Sequence, residues 1–506
     1  MKLPLLHFIL CLAALLTACS PKTQSSSSTA PVQVITVSAL PESLTPIPTP
    51  APPVYNDYTI NLDINPSERT VTGVEKIKYR NRADQTLATI YFNVYLNAFT
   101  EENAKQSILP ADEEKVYPSG YDYGEMMIDS VAVDNEDARF ALTGTVLRVD
   151  LPEPLEPDDD AEIKLQLRAV IPKINARTGA NNFALWCGNF LPALAVYDSQ
   201  GWHTSPYYPV GNPFYTRSAN YTVSISAPFT FTVVGSGEPV VQEQSGRKST
   251  VFTAKMERDF AFALSDCFQH ETFATTAGVD IDLYTFTDFS GKSDLLALAA
   301  DALEYFSGKI SPYPYSHLTI VETGLPYAGG MAYPEIIFMD SACLQEANAF
   351  QALTYEIGRQ WFYGVIGSND VENAWMSEGL IRFFQERFAR PPENLRAIMG
   401  QEYADLQVTL RSMNLRGLDQ DLSAYRSRRD YESTQCARGK LMFYALFAKM
   451  GEDRFDGFIT EYYRKYSFRT AEPADLIRIA SETLEEDLTD FFHQWITASD
   501  LPSLDS

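Results

Sequence analysis

The period of the apolar residues changes once along the chain, near residue 288, and this change constrains the fold more than any other feature. Before it, apolar and polar residues alternate, as they do over residues 58–64, and this two-residue period is typical of half-buried strands. After it, an apolar stripe over residues 295–306 ends at Gly308, as expected of a helix with a C-terminal stop. The sequence therefore predicts a multidomain α+β chain, with an antiparallel β-sandwich first and a mainly α unit second.

The first 54 residues carry export signals and no pattern of a folded core. The apolar run Leu5–Leu16 is too short to span a bilayer comfortably, and it ends in Leu-Thr-Ala-Cys19, which resembles a bacterial lipobox. Residues 20–54 hold eight prolines and four consecutive serines, so they cannot bury enough apolar surface to offset the entropy of ordering. We predict a lipoprotein signal peptide over 1–18, lipidation of Cys19 and a stalk over 19–54. An ordinary signal peptide with a chance cysteine is the alternative.

The net charge limits the partners of the chain. It has 66 Asp and Glu against 40 Lys and Arg, a formal charge of −26. Such an excess opposes binding to nucleic acid and direct docking on anionic lipid, because both need a positive field. We therefore expect a bacterial cell-membrane location that depends on the lipid anchor, with the folded part facing outside the cytoplasm.

Four cysteines follow the predicted lipidation site, and they show no paired close spacing: Cys187, Cys267, Cys343 and Cys436. This spacing predicts neither a zinc ribbon nor a dense disulfide scaffold. One or two disulfides are compatible with an extracellular location, and no pairing can be assigned from the sequence.

The stretch Tyr355-Glu356-Ile357-Gly358-Arg359 has the spacing of a metallopeptidase motif with other residues in it. In zinc peptidases two histidines one helical turn apart bind the metal, and a glutamate beside the first acts as the base. Here the two positions hold Tyr355 and Arg359. Glu378 follows 19 residues after Arg359, where the third ligand of a glutamate-type zinc peptidase falls.

These motifs, with others in the same order, resemble the aminopeptidase N family, the gluzincin peptidase family M1, over Tyr55 to Pro502. The further segments that carry the resemblance are Tyr55–Asn97, Asn189–Trp202, Arg258–Phe262, Gly329–Pro334 and Phe491–Trp495. The resemblance implies an aminopeptidase N-like β-domain over 55–288 and a thermolysin-like (zincin) peptidase domain over 289–506.

The resemblance also assigns site residues. It places the three zinc-ligand positions on Tyr355, Arg359 and Glu378, the general base on Glu356, the position that holds the peptide amino terminus on Ala332, the transition-state position on Cys436, and a second family tyrosine on Tyr431. The family's substrate strand corresponds to Gly329, Gly330, Met331 and Ala332.

The chemistry of the substituted residues opposes metal binding. A phenol with a pKa near 10 is a poor zinc ligand, and a guanidinium stays protonated and cannot ligate. We therefore expect no metal or other cofactor, and we hypothesise that Arg359 pairs with Glu378 in its place, with Glu356 as a further candidate partner.

The sequence thus predicts a catalytically inactive, aminopeptidase-like surface lipoprotein that binds peptides or an extracellular protein partner. Main-chain pairing to the strand Gly329–Ala332 needs no zinc. Two alternatives stay open: an active zinc-dependent metalloaminopeptidase, and a hydrolase that uses other chemistry in the same cleft. Cys436 as a new thiol nucleophile would belong to the second, although no histidine lies near it in sequence.

Overall fold

The computed structural model describes residues 55–504 except for 245, 326–328, 346–347 and 414–416. The predicted signal peptide, stalk and lipidated cysteine lie outside the described residues. Among the helices that are described, none combines the length and the apolar character needed to cross a membrane.

The N-terminal part is built on one large sheet. Its eight strands follow the spatial order Glu238–Gln244, Arg247–Glu257, Ala219–Pro228, Asn56–Asn65, Thr70–Arg80, Asp160–Val170, Glu125–Val133 and Glu136–Asp137. Asn56–Asn65 alternates buried and exposed side chains almost along its whole length, as its two-residue period predicts.

The predicted antiparallel sandwich contains one parallel strand pair. Asn56–Asn65 runs parallel to Ala219–Pro228, with Tyr58 opposite Tyr221. A parallel pair needs a long crossover connection, which the strands between these two segments supply. Alternation marks a strand but not the direction of its neighbour, so the sequence pattern could not reveal the mixed sheet.

Two four-stranded sheets complete the sandwich. One follows the order Thr232–Gly235, Phe262–Ser265, Leu185–Cys187 and Thr178–Ala180, and the other Ala193–Leu194, Leu87–Asn93, Val146–Leu155 and Arg139–Thr143. A two-stranded sheet pairs Tyr197–Asp198 with Gly201–Trp202. Ile60, Phe92 and Phe262, one from each of the three larger sheets, belong to one hydrophobic core.

A five-stranded sheet joins strands on both sides of the predicted boundary at residue 288. Its order is Gln269–Ala274, Asp280–Thr285, His317–Thr323, Ile336–Asp340 and Gly330–Tyr333. Asp280–Thr285 pairs in parallel with His317–Thr323, so two strands that the sequence places in the β-domain over 55–288 belong to the sheet of the second part. The apolar period changes only after these two strands, so it does not indicate that they share a sheet with strands further along the chain. Gly330–Tyr333, called here the edge strand, ends the sheet.

Helices form most of the remaining chain. The helices of nine or more residues are Lys292–Lys309, Ala349–Gly358, Trp375–Ala389, Pro392–Arg411, Gly439–Met450, Glu452–Tyr466, Pro473–Leu484 and Thr489–Thr497. Shorter helical segments are Tyr95–Phe99, Pro110–Asp112, Glu113–Val116, Ser341–Gln345, Asp370–Asn373, Leu422–Ala424, Arg428–Tyr431 and the π-helical Glu432–Arg438. Ile366–Gly367 and Arg469–Thr470 pair as two short parallel strands.

None of the four cysteines among the described residues forms a disulfide with another. Cys187, Cys343 and Cys436 are buried, and Cys267 is exposed. The part of the chain that the structure describes therefore contains no disulfide.

Candidate functional site

Two helices bring the motif residues together. Ala349–Gly358, called here the site helix, carries Tyr355 and Glu356, and Arg359 continues its last turn by donating its amide to the Tyr355 carbonyl at 3.1 Å. Trp375–Ala389, called here the second site helix, carries Glu378 in its first turn.

Glycines allow a third element to approach the site. A Cβ on Gly379 would lie 2.8 Å from the carbonyl carbon of Gly439, so the second site helix and the helix Gly439–Met450 pack backbone to backbone here. This contact brings the preceding π-helical segment close enough for the Cys436 thiol to lie 3.4 Å from Glu378 Oε2.

The predicted ion pair between Arg359 and Glu378 is confirmed. Arg359 Nη1 lies 3.2 Å from Glu378 Oε1, and the two side chains are each 4% exposed. The same nitrogen donates to the Tyr355 hydroxyl at 3.3 Å, and that hydroxyl donates to Glu378 Oε2 at 2.5 Å. The three side chains that the resemblance assigns to the zinc-ligand positions therefore bond to one another; we call them the ion-pair centre.

Glu356 joins this centre more loosely and holds the edge strand. Its Oε2 accepts a hydrogen bond from the Ala332 amide at 2.8 Å and lies 4.0 Å from Arg359 Nε. Burial raises the pKa of Glu356 to about 7, against the opposing effect of the Arg359 charge. The Glu356 carboxyl thus occupies a main-chain donor that an added peptide strand would otherwise use.

Aromatic rings enclose the Arg359 guanidinium. Its central carbon lies 4.7 Å from the Tyr363 ring centroid and 5.9 Å from that of Tyr355. Tyr363 has a φ of 138°, which a non-glycine residue rarely adopts, and its carbonyl accepts from Arg258 Nε at 2.8 Å. Sequence reasoning missed Tyr363, although it lies four residues after Arg359.

The two remaining assigned residues, Cys436 and Tyr431, are buried in one hydrophobic cluster. Burial, reinforced by the Glu378 carboxylate, raises the pKa of the Cys436 thiol well above its usual value. Such a thiol stays protonated at neutral pH, which opposes its use as a nucleophile. The Tyr431 hydroxyl is buried and has no hydrogen-bond partner among the described residues.

The edge strand is covered by its neighbours. Met331, Ala332 and Tyr333 are buried. A Cβ on Gly330 would lie 2.8 Å from Glu356 Cγ, so the site helix packs directly against the backbone of this strand. Ala332 contributes a methyl group where the family resemblance implies a carboxylate.

The donor set does not fit the zinc ion that the family resemblance implies. Glu378 is the one carboxylate among the three ligand positions, and both of its oxygens accept hydrogen bonds within the centre. The guanidinium has no lone pair to donate, and the phenol carries its proton toward Glu378. Among the described residues, no group of three or more His, Cys, Asp or Glu side chains is arranged to hold a metal ion.

Sequence reasoning also missed Arg382, one helical turn after Glu378 on the second site helix. Its guanidinium carbon lies 4.0 Å from the Tyr355 ring centroid, and it donates to Gln385 Oε1 at 3.2 Å. The spacing of four residues from Glu378 was the available signal, because residues i and i+4 share a helix face.

Comparison with known proteins agrees with this architecture. Residues 296–495 match the profile of the peptidase family M1 domain. Aminopeptidase O of Homo sapiens is 20% identical over 244 residues, which are 41% of this chain and 30% of that protein. Aminopeptidase O of Mus musculus is 28% identical over 200 residues, which are 38% of this chain and 23% of that protein. The chain thus spans less than a third of the length of these relatives.

Solved structures resemble a larger share of the chain. An M1 zinc metallopeptidase from Deinococcus radiodurans superposes with a TM-score of 0.64 at 16% identity, over 89% of this chain and 96% of that one. A mutant of it bound to a Tyr-Ser-Ala substrate gives 0.63 at 15% identity, with the same coverage. At this identity the likeness shows the fold alone.

Proposed function

We propose that the chain is a non-catalytic member of peptidase family M1, whose domain profile matches residues 296–495, and that a buried ion-pair centre stands where the family binds its metal. Its role is to bind peptides or an extracellular protein partner.

The observation that carries this proposal is the position of Arg359. A permanent cation lies 3.2 Å from the carboxylate at the third ligand position, and Tyr355 bonds the other oxygen of that carboxylate. A divalent metal at the same carboxylate would meet the Arg359 charge at close range. Arg359 supplies the compensating charge that the buried Glu378 requires, without supplying a metal ligand.

Ala332 and Cys436 are the other two substituted positions, and each removes a different contribution to peptide hydrolysis. Ala332 lacks the carboxylate that pairs with an α-ammonium, and Cys436 lacks a phenol to stabilise an oxyanion, a loss worth about 3 kcal/mol in comparable sites. Glu356 remains at the position that the resemblance assigns to the general base, and its Oε2 accepts a hydrogen bond from the Ala332 amide.

A peptide-binding role is supported by the position of the edge strand at the end of its sheet. Extended peptides add to exposed strands at the end of a sheet through main-chain hydrogen bonds, whereas here the site helix and Glu356 cover the strand. Because Glu356 occupies the Ala332 amide, a peptide that pairs with this strand must displace the Glu356 carboxyl. A ligand that displaces it would also loosen the contact between the edge strand and the site helix.

Metal analysis combined with a hydrolysis assay tests the proposal. After incubation with zinc and dialysis, we expect far less than one zinc per chain and no chelator-sensitive cleavage of aminoacyl anilides or peptides. Stoichiometric zinc with cleavage abolished by chelator would establish the active metalloaminopeptidase instead. Cleavage that persists in chelator and is lost in Cys436→Ser would establish the hydrolase with other chemistry.

We also propose that Cys19 anchors the protein to the outer face of a bacterial cell membrane through a lipid, with residues 20–54 as the spacer. Cys19→Ser should move the protein from the membrane fraction to the soluble fraction, because the acyl chains supply the attachment. Cys11→Ser, in the apolar run, is the matched control and should stay with the membrane. Equal membrane recovery of both variants would contradict lipidation at Cys19.

A further inference from the structure

A small cavity lies in the N-terminal part, beside three neighbouring strands of the eight-stranded sheet. Its lining comes from the strands Asn56–Asn65, Thr70–Arg80 and Ala219–Pro228 and from residues 191–197. It has a volume of about 40 Å³, whereas a cavity for one water molecule needs roughly 10–15 Å³. The space is therefore large enough for a small ion and too small for a peptide.

The charged residues around this cavity are mainly cations. Four arginines and one acidic residue line it: Arg80, Arg82, Arg217, Arg258 and Asp259. The chain as a whole has the opposite balance, with 66 acidic against 40 basic residues. A cavity lined by one sign of charge concentrates ions of the other sign, so this local reversal favours an anion.

Two of the four arginines already have other contacts. Each of the three nitrogens of Arg258 donates to a backbone carbonyl, and Nε donates to that of Tyr363 at 2.8 Å. Arg80 lies 3.5 Å from both Asp158 and Asp160. The remaining two arginines are therefore the candidates for contact with a ligand.

Arg82 and Arg217 act on each other as like charges. Burial and then the Arg217 charge lower the pKa of Arg82, and Arg80 acts in the same direction. Arg217 is exposed and donates to the Tyr197 carbonyl at 2.8 Å, which is a neutral group. An anion between two guanidinium groups offsets their repulsion and accepts hydrogen bonds from both.

Buried hydroxyl groups complete the donors of the cavity. Thr216 is 8% exposed, and its hydroxyl has no hydrogen-bond partner among the described residues. Burial raises the pKa of Tyr79 to about 12, against the opposing charges of Arg217 and Arg82, so this phenol lies near both arginines. An oxyanion would accept from these hydroxyls as well as from the guanidinium groups.

Asn56 adds an acceptor to this set of donors. It is 7% exposed, and its side-chain oxygen is buried without a hydrogen-bond partner in the described part of the chain. An unsatisfied buried acceptor is costly, and it would repel an anion oxygen that carries no proton. The ligand that suits both the donors and this acceptor is an oxyanion that keeps one proton at neutral pH, as phosphate does.

We propose that this cavity binds hydrogen phosphate, with anionic oxygens on Arg82 and Arg217 and the protonated oxygen on Asn56. The small volume favours the free ion over a phosphate group on a larger molecule. Binding here needs no metal and no bond cleavage, and the lining residues belong to other elements than the ion-pair centre. The site therefore goes beyond the proposed function and does not depend on it.

Calorimetric titration with three sodium salts at matched ionic strength tests the assignment. Sulfate has the size and shape of phosphate but no proton at neutral pH, and chloride controls for screening. We expect phosphate to bind and sulfate to bind about tenfold more weakly, since one hydrogen bond to a buried acceptor has that size. Chloride should give no binding heat.

Variants assign the contacts. Arg82→Gln and Arg217→Gln should each weaken phosphate about tenfold, whereas Asn56→Ala should remove the advantage of phosphate over sulfate. Arg454→Gln, the same change at an exposed arginine outside the cavity, should leave phosphate affinity unchanged. Phosphate should also raise the midpoint of thermal unfolding less in Arg217→Gln than in the native protein, a dependence that a purely structural role of Arg217 would not change.

Three results would overturn the proposal: no binding of phosphate to the native protein at millimolar concentration, equal affinity of the native protein for phosphate and sulfate, or undiminished phosphate affinity in both arginine variants. The first two use the native protein, so the test holds even where a variant fails to fold.

Discussion

Two arginines contact the Tyr355 ring from different positions, and they differ in what compensates their charge. Arg359 is 4% exposed and lies 3.2 Å from Glu378, with Glu356 at 4.0 Å. Arg382 stacks closer to the same ring and bonds a neutral glutamine, facing a cavity. Arg359 forms a close ion pair, whereas Arg382 forms none among the described residues and interacts with the Glu378 and Glu432 carboxylates at longer range. Removing a charge from a buried, hydrogen-bonded ion pair should therefore cost more stability than removing one held by a ring and an amide.

The largest expected effect separates the two arginines by stability. Arg359→Met leaves Glu378 buried without a cation, so we expect a loss of about 3–5 kcal/mol in the free energy of unfolding. Arg382→Met breaks no ion pair within the described residues and should cost about 1 kcal/mol or less. Urea unfolding of both variants measures the difference, and equal losses would break the distinction.

A double variant sharpens this measurement. Adding Glu378→Gln to Arg359→Met removes the uncompensated carboxylate, so part of the lost stability should return. A loss that simply adds to that of Arg359→Met would mean that the two residues are not coupled.

The next prediction concerns Glu356, whose carboxyl oxygen lies 4.0 Å from Arg359 Nε. The pKa of Glu356 is raised to about 7 in the folded protein, so this group binds its proton more tightly in the folded than in the unfolded state. The shift therefore adds to the free energy of unfolding at low pH. This added stability, about 3 kcal/mol in total, is lost as pH rises from about 4.5 to about 7.

Glu356→Gln removes this titration. The difference in unfolding free energy between native protein and variant should therefore shift in favour of the variant as pH rises over that range. Asp370, whose pKa burial raises to about 6, acts with the same sign and is unchanged in the variant, so only the difference between the two proteins isolates Glu356. A difference that stays constant from pH 4 to pH 8 would contradict the assignment.

A smaller effect tests whether Arg359 has taken the place of a metal. Tyr355→His with Arg359→His provides two imidazoles beside Glu378, which is a zinc-binding set. Zinc at 100 times its dissociation constant should then stabilise the variant by about 2.7 kcal/mol, measured as a shift in thermal unfolding. Tyr355→Phe with Arg359→Met is the matched variant without the two imidazoles, and its thermal unfolding should not respond to zinc.

Hydrolysis should stay absent in the histidine variant because Ala332 and Cys436 are unchanged. Adding Ala332→Glu and Cys436→Tyr then tests whether the scaffold still supports peptide cleavage. Zinc-dependent stabilisation without cleavage, followed by cleavage in the fourfold variant, is the expected order. Full activity in the histidine variant alone would mean that the last two positions are dispensable.

Several features could be predicted from the sequence because they depend on local spacing. Arg359 lies one turn after Tyr355 on a helix, and an arginine beside a retained Glu378 has a clear electrostatic reason to pair with it, as it does. The change from a β to a helical period placed the two parts of the chain in the right order. The period did not reveal that Asp280–Thr285 pairs with His317–Thr323, because a local pattern does not identify the partner of a strand.

The sequence by itself determined the chemistry: a phenol, a guanidinium and two carboxylates at four positions of one motif, and a β-rich part followed by a helical part. Only the tertiary structure decided how these groups share their hydrogen bonds. In this structure the Tyr355 hydroxyl donates to Glu378 and the Glu356 carboxyl accepts from the Ala332 amide. Arg382 lines a cavity. The physical reason is that these contacts join segments distant in sequence, and helix packing, including the approach of Gly379 to Gly439, sets which of them can meet.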